Sequence, residues 1–227
     1  MCGKFTAMFS WSEVVEFSQP LDAGPRVQSN DDVVTYRPMS MLPVIIFDHE
    51  LKQRCVVPMR WGFPHAKNPK VPQPIHARSE TIDTTAAFRD AFIDGQRGVV
   101  VMRTFNEGKE ISPTQTEQWT IDPGDGIPRG FAFLWRRFEP EGIPAPLLAC
   151  VMVTVPASQL ISPITDRMPA ILEDGDWAKW LGEAPASLNE TKASLRTMEG
   201  VRWQMTKEAK KPKPARPNTP ERPPTLL

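Results

Sequence analysis

Apolar residues in this chain fall into short runs more often than into helical spacing. The runs VVTYRP at 33–38, PVIIF at 43–47 and CVVPMRWGF at 55–63 are rich in β-branched and aromatic residues, and turn-formers such as Asp48, His49 and Glu50 separate them. That pattern predicts strands of an antiparallel sheet. Strand-like runs recur at 98–105 (GVVVMRTF), 117–121 (EQWTI), 131–135 (FAFLW) and 147–155 (LLACVMVTV), with a Gly/Pro-rich turn at 122–126 and a last strand expected at 201–205. Helical signals are fewer. A capping box at Ser10 and Glu13 leads into VVEF, Phe88, Ala91 and Phe92 give residues 84–94 one apolar face, and residues 176–181 precede a second capping box at Ser187 and Glu190.

Residues 64–74 hold four prolines and predict an irregular surface loop that delivers the chain to Ile75, His76, Ala77 and Arg78. From Lys207 onward proline and basic residues dominate, so 207–227 reads as an extended or disordered tail behind a single domain at 1–206. Many strands, helices at intervals and no regular β-α-β alternation predict a β-rich α+β fold. Its expected form is a curled, barrel-like antiparallel sheet with flanking helices.

The chain has 227 residues, 40% of them hydrophobic, enough for a substantial core. Its 27 basic and 27 acidic residues cancel, so no global field draws it to nucleic acid or to an anionic membrane, and any such binding must rest on a local patch. No apolar run approaches the roughly 20 residues that span a bilayer, and the start lacks the basic and apolar regions of a signal peptide. A cytoplasmic location is expected.

Cys2, Cys55 and Cys150 are an odd, widely spaced set without a C-x-x-C pair, which argues against a disulfide framework or a metal site. Cys55 and Cys150 lie in apolar runs and read as small buried hydrophobes. Cys2 differs. Removal of Met1 leaves a 1,2-aminothiol, whose amine of pKa about 8 and thiol of pKa about 8.5 can attack one electrophile. With an aldehyde the amine forms a Schiff base and the sulfur closes a five-membered thiazolidine, helped by the high effective concentration of a held neighbour. By position alone, Cys2 reads first as a residue that merely follows the initiator.

Four segments stand out together: Met1-Cys2-Gly3-Lys4-Phe5; Trp61-Gly62 with His76-Ala77-Arg78-Ser79-Glu80-Thr81; Phe105-Asn106-Glu107; and Thr165-Asp166-Arg167-Met168-Pro169. Their order and spacing resemble the SOS response-associated peptidase family, whose members crosslink to abasic sites in single-stranded DNA. The resemblance implies a DNA-damage function, a covalent Cys2 adduct, self-removal of Met1, no cofactor or metal, no membrane partner, and action as a monomer. The departures are specific. The family's MCGRF reads MCGKF; its G-[WF]-[YF]-E-W reads Thr104-Phe105-Asn106-Glu107-Gly108; and its usual Asn and His are replaced by His76 and Thr165.

In the family the glutamate matching Glu107 is an acid/base or positioning group; on this sequence alone it reads first as a solvated turn residue. Thr165 cannot exchange a proton near neutral pH, whereas His76 can, so His76 either takes over proton transfer beside Cys2 or only keeps a hydrogen-bond donor. Arg78 and Arg167 are candidates for phosphate contacts, with salt bridges as the alternative, and Lys4 adds a point charge. Trp61 is a candidate for stacking on a base, or else core. His49 and His65 read as exposed. Three functions stay open: abasic-site crosslinking, a thiol peptidase or amidohydrolase with Cys2 as nucleophile, and a non-catalytic DNA-binding relative.

Overall fold

The computed structural model describes residues 3–7, 18–19, 21–22, 34–64, 73–139 and 145–209. The capping box at Ser10, the middle of the 64–74 loop, His65 and residues 210–227 lie outside the described residues. In chain order the strands are β1 (Lys4–Ala7), β2 (Leu21–Asp22), β3 (Val34–Tyr36), β4 (Met41–Asp48), β5 (Gln53–Trp61), β6 (His76–Arg78), β7 (Arg97–Met102), β8 (Thr104–Ser112), β9 (Gln115–Asp122), β10 (Arg129–Phe138), β11 (Leu147–Pro156), β12 (Arg167–Pro169), β13 (Ile171–Leu172) and β14 (Gln204–Lys207). Short helices α1 (Arg89–Ile93), α2 (Trp177–Leu181) and α3 (Leu188–Ala193) flank them.

The curled sheet is present, and it closes. β4 pairs with β5 and β7, β7 with β10, and β10 with β11, all antiparallel. β11 then returns to β5 through the parallel pairs Ala149↔Arg60 and Cys150↔Trp61. The expectation of antiparallel pairing therefore needs amending at the seam. A strand with partners on both edges and cover on both faces loses polar alternation, and the LLACVMVTV run is buried from Ala149 to Val155. β6 follows β5 along the same edge of β11, pairing Met152↔His76 and Thr154↔Arg78. The chain leaves that track at Gly62, whose N–H donates to the Cys150 carbonyl, and returns at Ile75, whose carbonyl accepts from Met152.

The apolar run at 98–105 is one strand in sequence and two in space. It bends at Arg103, so β7 belongs to the barrel while β8 enters a second sheet ordered β14-β9-β8-β1-β3. The last strand runs Gln204–Lys207 instead of 201–205. Trp203 turns inward to the core, Met205 pairs with Ile121, and the Glu208 N–H still donates to the Gln118 carbonyl.

Two buried arginines pin α2 to the barrel. Arg97 donates to the carbonyls of Trp180 (2.5 Å) and Phe92 (3.0 Å), and burial lowers its pKa. Arg54 forks onto Glu183 and donates to the carbonyls of Ser18 and Gln19. The capping box at Ser187 forms as the sequence predicts. The 84–94 helix is shorter, Arg89–Ile93, but Phe88, Ala91 and Phe92 are its buried face.

A clasp over β11 joins two sequence elements far apart in the chain. Arg167 on β12 forks onto both oxygens of Glu80, which lies in the turn after β6, and donates to the Thr154 carbonyl at 2.6 Å. The Thr154 hydroxyl reaches the Ala77 carbonyl at 3.4 Å. Hydrogen bonding to Arg167 holds the Glu80 carboxyl down at about 2, from an ordinary 4.5, against the opposing effect of burial.

Gly130 on β10 lies directly under the Trp177 indole: a Cβ there would stand 2.1 Å from Trp177 Cζ2. Gly130→Ala is expected to cost about 1–3 kcal/mol by overpacking, whereas Gly175→Ala, where a Cβ meets nothing within 4 Å, leaves the urea midpoint unchanged. Glu80→Gln tests the clasp. Because the folded pKa is depressed, its stabilisation is present above about pH 4.5 and is lost as pH falls toward 2. The side chain is 47% exposed, so the loss at pH 7 is expected to be only about 1 kcal/mol. Urea titrations should show the gap between wild type and variant closing over that acid range, and a gap that is constant with pH would exclude the linkage.

Candidate functional site

β1 enters the second sheet between β3 and β8 with register Lys4↔Asn106 and Phe5↔Phe105. Alternation along a strand sends neighbouring side chains to opposite faces. Phe5 and Phe105 are fully buried in the core, so Glu107, two residues on, shares the Phe105 face, while Lys4 and Asn106 share the other. Glu107 is 1% exposed and lies inside β8, opposite Trp119. The solvated-turn alternative for this residue is thereby excluded: the polar run after Phe105 stays in a strand that has partners on both edges.

Cys2 lies outside the described residues. Its covalent neighbour Gly3 lines a cavity of about 630 Å3 together with Lys4, Asn106, Gly108, Gln118 and Glu208. The sequence elements at the N-terminus and around Glu107 thus meet through one strand pair. Cys150 is fully buried, which pushes its thiol pKa well up, and Cys55 is half-buried within β5, so neither stands as an exposed thiol.

Trp61 is core. It is 0% exposed, its indole N–H donates to the Ile75 carbonyl at 3.0 Å, and its ring lies 5.0 Å from Phe5. The expectation that it stacks on a base is corrected, since no face of the ring reaches solvent. It has a different consequence for the site. His76 is half-buried and stands edge-on to Trp61 at 6.3 Å between centroids, so the rings of Phe5, Trp61 and His76 tie β1 to the start of β6.

Arg78 and Arg167 part company. The Arg167 fork is buried and committed to Glu80 and Thr154; this is the salt-bridge alternative. Arg78 is exposed, and among the described residues no ion pair to it is recorded. Thr165 is buried, and its hydroxyl accepts from the Arg167 N–H at 3.4 Å. It therefore helps shape the turn that carries Arg167 into the clasp. His49 is exposed as expected and packs edge-on to Phe47.

Sequence reasoning missed the polar cluster above Lys4 and Asn106. Glu208 Oε1 accepts from Lys4 Nζ (2.6 Å), Asn106 Nδ2 (2.5 Å) and Thr120 Oγ1 (3.1 Å). Thr120 was legible only as an outward position of the EQWTI strand, and Glu208 was hidden by the tail-like composition around it. Among the described residues no three His, Cys, Asp or Glu side chains are grouped so as to hold a metal ion.

Bacillus subtilis (strain 168) abasic site processing protein YoqW is 29% identical over 188 residues, covering 80% of this chain and 80% of its own length. YobE from the same organism, also named an abasic site processing protein, is 29% identical over 188 residues, covering 80% and 82%. Gallus gallus abasic site processing protein HMCES is 27% identical over 195 residues, covering 72% of this chain and 58% of its own. In structure, a protein from Bordetella bronchiseptica superposes with a TM-score of 0.73 at 22% identity, over 92% of this chain and 100% of the other. A Bacteroides thetaiotaomicron protein gives 0.72 at 17% identity, over 91% of each chain. The sequence model of the family described as SOS response associated peptidase (SRAP) matches residues 1–211, and the chain belongs to that family.

Proposed function

We propose that this protein recognises abasic sites in single-stranded DNA and captures them covalently through Cys2 once Met1 is gone. The observation that carries the reading is the β1–β8 register, which sets the buried Glu107 carboxyl beside the strand that Cys2 precedes by two residues. The names of the relatives supply the substrate class.

The chemistry balances without a cofactor. The Cys2 amine adds to the C1′ aldehyde of the ring-opened sugar, and the carbinolamine loses water to give an imine. The thiol then adds across the C=N bond: an S–C bond forms, the thiol proton ends on nitrogen, and one water is released overall. Glu107 is the group to deliver and recover the protons of sugar opening and water loss, for which a buried, fixed carboxyl is suited. Removal of Met1 is hydrolysis of the first peptide bond, and it must come first, because an acylated amine cannot form the imine. Arg78, exposed at the end of β6, is the guanidinium available to a phosphate.

Intact mass before and after incubation with an abasic single-stranded oligonucleotide tests the reading directly. The expected products are a chain lacking Met1 and an adduct of protein plus oligonucleotide minus one water; Cys2→Ala gives none, and Glu107→Gln slows the adduct by roughly 10²-fold. Peptide turnover by wild type with no adduct would move the assignment to a thiol peptidase, and reversible binding that survives Cys2→Ala with no wild-type adduct would move it to a binding relative. For His76, the rate of adduct formation in His76→Ala and His76→Asn is expected to lose a titration near neutral pH; profiles identical to wild type would remove His76 from proton transfer.

A further inference from the structure

We infer that Lys4, Asn106 and Thr120 form an anion site for a phosphate group, which Glu208 occupies in the resting protein as a displaceable carboxylate. The assignment of that phosphate to a bound DNA strand rests on the reading above; the existence of the site does not.

Three donors of different type converge on a single oxygen, Glu208 Oε1: an ammonium at 2.6 Å, an amide at 2.5 Å and a hydroxyl at 3.1 Å. Such a cradle fits one oxygen of a phosphate as well as one of a carboxylate, because each is a compact, charged acceptor with free lone pairs. Asn106 gives the cradle rigidity. It is only 4% exposed, its amide also donates to Thr120 Oγ1 at 2.8 Å, and its own oxygen has no hydrogen-bond partner among the described residues.

Glu208 is placed to leave. It stands one residue beyond β14, and its backbone N–H bond to Gln118 is the last ladder tie among the described residues. The side chains of Lys4 and Glu208 are both partly exposed, the setting in which an ion pair is worth little and exchanges readily. The surrounding cavity favours an incoming anion. Its lining holds Lys4, Arg37 and Lys207 against Glu117 and Glu208, and the Lys207–Glu117 pair at 2.5 Å is self-contained. Lys4 Nζ, Asn106 Nδ2 and Thr120 Oγ1 are the donors an incoming anion would share with or take over from Glu208, with Arg37 on the same wall.

Three of the departures from the family pattern, Lys4, Asn106 and Gly108, line this one cavity. Gly108 keeps it open, since a Cβ there would stand 2.8 Å from Thr116 Cγ2 and 3.2 Å from Gln118 Nε2.

Glu208→Gln in the full chain tests the proposal with two probes. Inorganic phosphate is expected to raise the melting temperature of the variant and not of wild type. An intact single-stranded oligonucleotide without abasic sites is expected to bind the variant roughly fivefold tighter at low salt, with the slope of log K against log salt steeper by about 0.7, one added phosphate contact. Lys4→Met in the Glu208→Gln background should abolish both gains. Glu208→Ala serves as the second variant should Gln perturb folding. Wild type that crosslinks abasic DNA, with variants that gain neither phosphate response nor affinity, would overturn the anion site and leave the DNA reading intact. A phosphate response in the variants with no DNA binding by any protein would keep the site and sink the DNA reading.

Discussion

Backbone pairing along both edges of β11 is the constraint on which the other parts hang. One edge carries β10 and then β12; the other carries β5 and then β6. A strand so placed has no free N–H or C=O to offer solvent, so its sequence must satisfy every polar group internally and fill the space with apolar volume. That requirement explains the unbroken apolar run, the parallel seam with β5, and the use of the one hydroxyl in its buried stretch, Thr154, as an anchor instead of an exposed group. It also explains why the family-defining elements at 76–81 and 165–169 meet. Both lie against β11, on opposite edges, and the Arg167–Glu80 clasp spans the strand between them.

The proposed site lies where this packing ends. β8 leaves the barrel at Arg103 and carries alternate side chains to two different environments: Phe105 and Glu107 to the core, Asn106 to the cavity that Gly3 lines. The short β1 is threaded between β3 and β8, which fixes the residues just after the N-terminus with backbone hydrogen bonds and cross-strand pairs. A nucleophile on an untethered terminus would lose the advantage of proximity. Here the tether is a strand pair backed by Phe5 against Trp61 and Tyr36.

The barrel strands were legible because burial on one or both faces writes itself into runs of β-branched residues, as at 43–47, 55–63 and 147–155. The break at Arg103 was not, since Val101 to Phe105 reads as one apolar run whichever sheet it serves. Nor was the reach of the last strand: Lys207 and Glu208 have a tail's composition, yet backbone pairing with Trp119 and Gln118 depends on the partner's geometry and not on side-chain type. Cys2 and Glu107 were singled out from motif and chemistry, and of the two only Glu107 lies among the described residues. Trp61 was misjudged as a stacking candidate because a motif gives residue type without saying which face of the strand it occupies. Arg78 and Arg167 make the same point. They are chemically identical, and only the position of Glu80 decides that one is a structural clamp and the other a surface cation.

That division bears on how a chain with no net charge can hold a polyanion. The 27 basic and 27 acidic residues cancel, and several of the strongest cations are consumed internally: Arg54 by Glu183, Arg97 by backbone carbonyls, Arg167 by Glu80. On the proposed function, attraction for a DNA strand has to come from local groups; among the described residues Arg78 and Arg37 are exposed and Lys4 is held by Glu208. On the proposed function, binding built from a few such contacts would be weak before reaction, with a salt dependence that grows only with the number of phosphates contacted. On the proposed covalent end state, weak reversible binding would be no handicap: undamaged strands would be released, and an aldehyde within reach of the aminothiol would convert a brief encounter into a lasting one. Selectivity would then lie in the chemistry at the end of β1, while the electrostatics need only bring a strand past it.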